Sequence, residues 1–128
     1  MVRYKVDGEL DGTFGVNGAT TTDFGAGSDS AYGVAIQVNG KLVVAGTVDV
    51  LETDASMGTV QSYAFGVARY TADGHPDSSF GVSGSVTTDF GTNPDRARAV
   101  AIQGDDKVLV AGARDYEREF AMARYITK

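Results

Sequence analysis

Cysteine is absent from the chain, and with it go disulfides, thiolate nucleophiles and cysteine-ligated zinc. No stretch approaches the roughly 18 uncharged apolar residues of a membrane-spanning helix, and the opening MVRYKVDGEL has no apolar core of the signal-peptide kind. Basic residues are outnumbered, 11 Lys and Arg against 17 Asp and Glu, for a net charge of −6. A general nucleic-acid binder needs a basic stripe to displace counterions from phosphate, so neither nucleic acid nor membrane is an expected partner. No segment sustains a 3.6-residue apolar period, so little helix is expected. Histidine occurs once, as His75.

What is present is enough for a core. Hydrophobic residues make up 42% of the 128 and charged residues 22%, the balance of one folded domain rather than a disordered chain. The 17 glycines point to many tight turns.

The chain contains one unit twice. RYKVDGELDGTFGVNGATTTDFG, from Arg3 to Gly25, returns as RYTADGHPDSSFGVSGSVTTDFG, from Arg69 to Gly91, and AYGVAIQVNGKLVVAG returns as ARAVAIQGDDKVLVAG. At this offset of 66, 24 of 45 positions are identical from Arg3 to Thr47. FGVARY (65–70) and FAMARY (120–125) then match at an offset of 55, so the first copy carries 11 extra residues between Gly46 and Phe65. Periods of this size signal repeat architecture. The two repeats span about 3–68 and 69–125 of a single domain, 1–128.

Each unit reads as four short strands: TTTDF or VTTDF, YGVAIQV or RAVAIQ, KLVVAG or KVLVAG, and YAFGVARY or EFAMARY. They are β-branched, aromatic or continuously apolar, with turns at VNGK, GDDK, ADG and the FG pairs. The fold class is therefore all-β, as two four-stranded β-propeller-type blades. The linked motif, VAIQ-x-x-x-K-[LV]-[VL]-V-A-G followed by F-x-x-A-R-Y-x-x-D-G-x-x-D-x-x-F-G-x-x-G-x-x-T-T-D-F-G, resembles the delta-60 repeat of bacterial proteins over nearly the whole chain. The 11-residue insertion and the GDDK turn depart from it. The resemblance implies a β-propeller repeat and an extracellular setting, and it brings no catalytic residues.

Recurrence separates scaffold from freedom. His75 faces Glu9 in the other copy, so the histidine is read as one side chain on a turn. Asp7-Gly8, Asp11 and Phe14 recur as Asp73-Gly74, Asp77 and Phe80. Asp-Gly is turn chemistry, and the phenylalanines are expected to plug the blades. Asp7, Glu9 and Asp11 imitate the start of a calcium loop, but the twelfth position is Gly18; a solvated acidic turn is the first expectation and calcium the alternative. GAGSDS (25–30) lacks the lysine of a phosphate loop. Arg3, Arg69 and Arg124 recur at ARY-type strand ends and are expected to pair with Asp23 or Asp89, with a ligand role as the alternative. No catalytic set, metal site or cofactor is expected.

With strands ordered VAIQ, VVAG, FxxARY, TTDF from inner to outer, as in NHL-type propellers, two loop sets emerge at one face. There the copies differ most, AGSDSAY (26–32) against TNPDRAR and TVDVLETDASMGTVQSY against ARDYERE. This makes a candidate ligand or partner face: acidic on one side through Asp49, Glu52 and Asp54, basic and aromatic on the other through Arg96, Arg98, Arg114, Tyr116 and Arg118. Residues 51–61 are expected to form a projecting loop.

Two blades cannot close a propeller. The chain starts near the end of an ARY strand and ends just after another, so the second blade lacks an outer strand while the N-terminal side has one to spare. The expected partner is a second copy, joined head to tail into a ring of three or four chains. Thr20, Thr21, Thr22, Asp23 and Phe24 of one chain would lie beside Phe120, Met122 and Arg124 of the next. The function expected is that of a non-enzymatic structural or interaction module. The alternatives are a calcium- or carbohydrate-binding surface and a hydrolase acting through loop carboxylates.

Overall fold

A computed structural model describes residues 1–25 and 27–127. Ala26, the first residue of the loop expected at 26–32, and Lys128 lie outside the described residues. Seven strands form in order: β1 (Asp29–Ile36), β2 (Leu42–Asp54), β3 (Gly58–Tyr70), β4 (Ser85–Thr88), β5 (Arg96–Ile102), β6 (Val108–Arg114) and β7 (Glu119–Tyr125). There is no helix among the described residues. The strands make two antiparallel meanders, a four-stranded sheet β1-β2-β3-β4 and a three-stranded sheet β5-β6-β7. They are β-propeller-type blades, and the neighbouring strands follow the expected sequence VAIQ, VVAG, FxxARY.

Two expectations change. Thr20–Phe24 carries no strand pairing, so seven strands form and the second blade has three. The reason is topological. The equivalent of Thr20–Phe24 in the second copy supplies β4, and β4 pairs with β3, from Phe65↔Thr88 to Ala68↔Ser85. Thr20–Phe24 precedes β1, the first strand among the described residues, and only Thr20 finds a backbone partner, Met1. The insertion, moreover, is not a loop. β2 and β3 run on together from Thr47↔Phe65 to Asp54↔Gly58, giving a projecting ribbon. Its turn is capped by the Asp54 carboxylate, which accepts from Ser56 N at 2.7 Å and Met57 N at 2.8 Å.

The inner hairpins show how different residues meet one geometry. At Gln37–Lys41 the positive φ falls on Gly40, at +82°. At Gln103–Lys107 Asp106 takes it, at +66°, a conformation Asp tolerates better than most residues. The glycine of each V-A-G segment has a steric cause. β1 and β5 each carry a bulge, between Ala31 and Gly33 and between Ala97 and Ala99. A Cβ on Gly46 would lie 1.9 Å from the Ser30 carbonyl oxygen, and one on Gly112 2.0 Å from that of Arg96.

The sheets stack face to back. Val43, Ala45, Phe65 and Val67 on the back of the first sheet bury themselves against Ala97, Val108, Val110 and Ala121 on the front of the second. Phe90 packs edge-on to Phe65 at 5.1 Å between ring centres. Thr88 of β4 shares a hydrogen bond with the Tyr125 hydroxyl of β7 at 2.7 Å, tying the outer edge of one blade to the next.

Phe14 and Phe80 are buried, as the repeat implied. The arginine partners differ from expectation. Arg3 pairs with Asp11 and Arg69 with Asp77, each at 2.8 Å, while each guanidinium covers Phe14 or Phe80 at 4.7 and 4.8 Å. Asp23 and Asp89 are already used in their own turns, accepting from Gly25 N and Gly91 N at 2.8 Å.

Candidate functional site

Asp77 is the most heavily engaged carboxylate. Its Oδ2 lies 2.8 Å from both Arg69 Nε and Lys41 Nζ. Its Oδ1 accepts from Ser79 N at 3.1 Å and Ser79 Oγ at 2.7 Å. Burial pushes its pKa up, but the bonds from Lys41 and Ser79 and the charge of Arg69 outweigh it and hold the group well below the usual carboxylate range. Arg69 is 1% exposed. This cluster fastens the β1–β2 turn to the loop after β3. His75, on the same loop, is held through its backbone: its N–H donates to Thr71 Oγ1 at 3.1 Å and its carbonyl accepts from Thr71 N at 2.8 Å. The imidazole is exposed.

The acids of the calcium-like turn do not converge. Asp7 accepts from Glu9 N at 3.0 Å, Glu9 faces Lys5 at 3.3 Å, and Asp11 turns toward Arg3 and Thr13. Among the described residues no three His, Cys, Asp or Glu side chains gather as a metal site would require.

The loop-face residues divide into structural and free ones. Asp49 is buried; it accepts from Ser28 N at 2.8 Å and from the Gln61 side chain, so it fastens the loop before β1 to the ribbon. Asp54 is the ribbon's cap, and Glu52 lies half-buried between them in β2. Arg96 covers the Tyr63 ring at 4.7 Å, Arg98 covers Tyr32 at 5.3 Å, and both reach Glu117. Arg114 faces Glu119 at 3.5 Å. Tyr116 and Arg118 remain exposed. Asp115, Tyr116 and Glu117 hold positive φ in succession, at 51°, 55° and 66°, a strained run that sets Glu117 beneath the two arginines.

Asp95 is a residue that recurrence does signal, since Asp29 is its equivalent in the other copy; it is 1% exposed. Its carboxylate accepts from Phe90 N at 2.6 Å, and its own N–H donates to the Tyr63 carbonyl at 2.8 Å. Burial raises its pKa, the neighbouring Asp89 adds to this, and the Phe90 bond and Arg114 oppose it. Asp29 repeats the first contact, accepting from Phe24 N at 2.8 Å.

The expected interface residues lie at two open surfaces. The front of the first sheet holds a cavity of about 480 Å³, lined by Thr22, Phe24, Tyr32, Val34, Val44 and Tyr70 among others. Phe24 lies against Gly66 there, and Thr22 shares a hydrogen bond with the Tyr70 hydroxyl at 2.5 Å, as Thr88 does with Tyr125. Thr20 exchanges bonds with Met1: Thr20 N donates to the Met1 carbonyl at 2.9 Å and the Met1 amino group to the Thr20 carbonyl at 2.7 Å. The back of the second sheet presents Phe120, 102% exposed, with Met122 and Arg124, also exposed, on the same side of β7.

Residues 37–80, from the β1–β2 turn to Phe80, match the model of a family described as Domain of unknown function (DUF5122) beta-propeller. That match supports a β-propeller repeat. No curated protein and no solved structure matches the chain.

Proposed function

We propose that this chain is a non-enzymatic structural module, built from β-propeller repeats of the delta-60 kind, that joins copies of itself head to tail into a ring and presents its variable loops on one face. The observation that carries the reading is the mismatch between equivalent faces. Front meets back inside the molecule, and the unused front and back are the faces left open. The back of the second sheet offers Leu109, Ala111, Phe120 and Met122 where the first sheet offers Val43, Ala45, Phe65 and Val67. Three or four short strands at about 4.8 Å spacing give roughly 250–400 Å² per face, the scale at which an exposed patch marks a partner. Heterologous contacts of this kind close into rings when the rotation permits. Three chains would make six blades and four would make eight, within the usual range of about four to eight.

The loop carboxylates serve folding contacts rather than facing one another, which favours a scaffold over a hydrolase. On this reading the loop face receives a small molecule, a glycan or a protein, Tyr116 and Arg118 being its exposed groups, and the setting is extracellular. No nucleic acid, membrane or cofactor takes part. Molecular mass in solution is the test. A trimer or tetramer at micromolar concentration is the expected result, and a stable, monodisperse monomer overturns the ring.

A further inference from the structure

We infer that residues Met1–Tyr4 are a place-holder for the end of another copy's β7, and that assembly proceeds by exchange of the two. The inference rests on the head-to-tail association proposed above. In sequence, Val2-Arg3-Tyr4 aligns with Ala68-Arg69-Tyr70 and with Ala123-Arg124-Tyr125. The structure gives the first two the same surroundings. Arg69 N donates to the Gly84 carbonyl at 2.8 Å, and Arg3 N to the Gly18 carbonyl at 3.2 Å. Asp77 N donates to the Arg69 carbonyl, and Asp11 N to the Arg3 carbonyl, both at 2.9 Å. Val67 and Ala68 pair with Val86 and Ser85 in the ladder; Met1 and Val2 pair with their equivalents Thr20 and Ala19. Met1–Tyr4 therefore fills the end of the strand position that β3 fills inside the molecule.

The third copy of the motif has no such setting. Arg124 is exposed and, among the described residues, makes no ion pair. On the receiving side Asp11 is one cation short. Asp77 holds both Arg69 and Lys41, whereas Asp11 holds Arg3 alone. The equivalent of Lys41 is Lys107, which in a head-to-tail pair belongs to the neighbouring copy. When β7 of that copy docks, its Phe120 falls opposite Thr22, as Phe65 falls opposite Thr88. Its ring meets Phe24 as Phe65 meets Phe90, and its Arg124 takes the seat of Arg3 on Phe14 and Asp11. One arginine leaves and one arrives, so the exchange conserves the contact and places Phe120 under cover.

The two arginines should then act with opposite sign. Association of the full chain is measured by sedimentation for wild type, Arg3→Ala and Arg124→Ala. Disulfide trapping between Ala19→Cys and Ala123→Cys, the equivalents of the paired Ser85 and Ala68, reports the register and leaves Phe120 in place. The expected result is about tenfold tighter association for Arg3→Ala, about tenfold weaker for Arg124→Ala, and bridges that link different chains only. Assembly of Arg3→Ala with a monomeric wild type would support the exchange while removing the ring as the resting state. A wild-type ring in which Arg3→Ala weakens or leaves association unchanged, or in which the cysteines do not bridge, overturns the exchange and leaves the ring standing. Monomers throughout overturn both.

Discussion

Phe65 and Phe120 hold equivalent places in successive sheets, yet Phe65 is 0% exposed and Phe120 is 102% exposed. The first is covered by Phe90 and the front of the second sheet; the second faces solvent. Phe65→Ala should cost about 3–5 kcal/mol of unfolding free energy, the range for an aromatic ring removed from a core. Phe120→Ser should change the stability of the isolated chain by no more than about 0.5 kcal/mol and abolish association. Denaturant unfolding at high dilution reads the first effect and light scattering the second. A stability loss for Phe120→Ser equal to that of Phe65→Ala would mean that the ring is covered within one chain.

Gly46→Ala and Gly112→Ala should each destabilise by about 1–3 kcal/mol, because the added methyl meets a backbone oxygen across the bulge rather than a movable side chain. Gly12→Ala is the control: a Cβ there has nothing within 4 Å, so its effect should stay within about 0.5 kcal/mol. Equal midpoints in urea for all three variants would contradict the steric account.

Much of this was legible because the chain repeats. Ala45, Phe65, Phe80 and the V-A-G glycines recur, and what recurs builds blades. The failures share a cause, since recurrence reports residue type and not partner. Arg3 could have met Asp11 or Asp23, and only the turn geometry, which occupies Asp23 with Gly25 N, decides. Asp49 read as an exposed loop acid, yet it is buried where Ser28 and Gln61 converge. The ribbon read as a loop because it occurs once, so no second copy showed the pairing of Val50 with Ser62. Thr20–Phe24 has the composition of a strand, but a strand needs a neighbour, and composition does not supply one.

His75→Ala should leave stability within about 0.5 kcal/mol of wild type, since the turn holds this residue by its backbone. Thr71→Ala removes the hydroxyl that accepts from His75 N and should cost about 1 kcal/mol. Calorimetry with Ca²⁺ and Zn²⁺ on both variants completes the comparison. Metal binding lost with His75 would restore a ligand role to it.

Acid should unfold the protein partly through Asp77. A carboxylate whose folded pKa lies below its unfolded value contributes stability that is fully present above the unfolded value, about 3.9, and is lost as pH falls further. Asp95 acts with the opposite sign: its raised pKa penalises the folded state at neutral pH, and the penalty lifts as pH falls. Asp77→Asn should therefore cost about 3 kcal/mol at pH 7, leaving Arg69 buried without its counter-charge, and should flatten the loss of stability below about pH 4. Asp95→Asn should steepen it. Urea midpoints between about pH 2 and 7 distinguish the three proteins, and an unchanged acid limb in Asp77→Asn would remove Asp77 from the account.

The ribbon should be dispensable for folding. Val50 and Ser62 face each other across β2 and β3, so an Asn-Gly turn can replace Leu51–Gln61 without changing register. What is lost lies beyond the core: Leu51 and Met57 are exposed, and the covered residues of the two strands begin at Asp49 and Ser62. Among the described residues, the side-chain bond lost between the replaced segment and the rest of the blade is that of Gln61 with Asp49, which keeps its bond from Ser28 N. Shortening a surface connection also lowers the closure entropy slightly. The expected outcome is an all-β circular dichroism spectrum, a stability within about 1 kcal/mol of wild type, and unchanged mass in solution, because the ribbon lies apart from Thr20–Phe24 and β7. Binding by the loop face, by contrast, should change. A variant that fails to fold would show that the ribbon forms part of the scaffold.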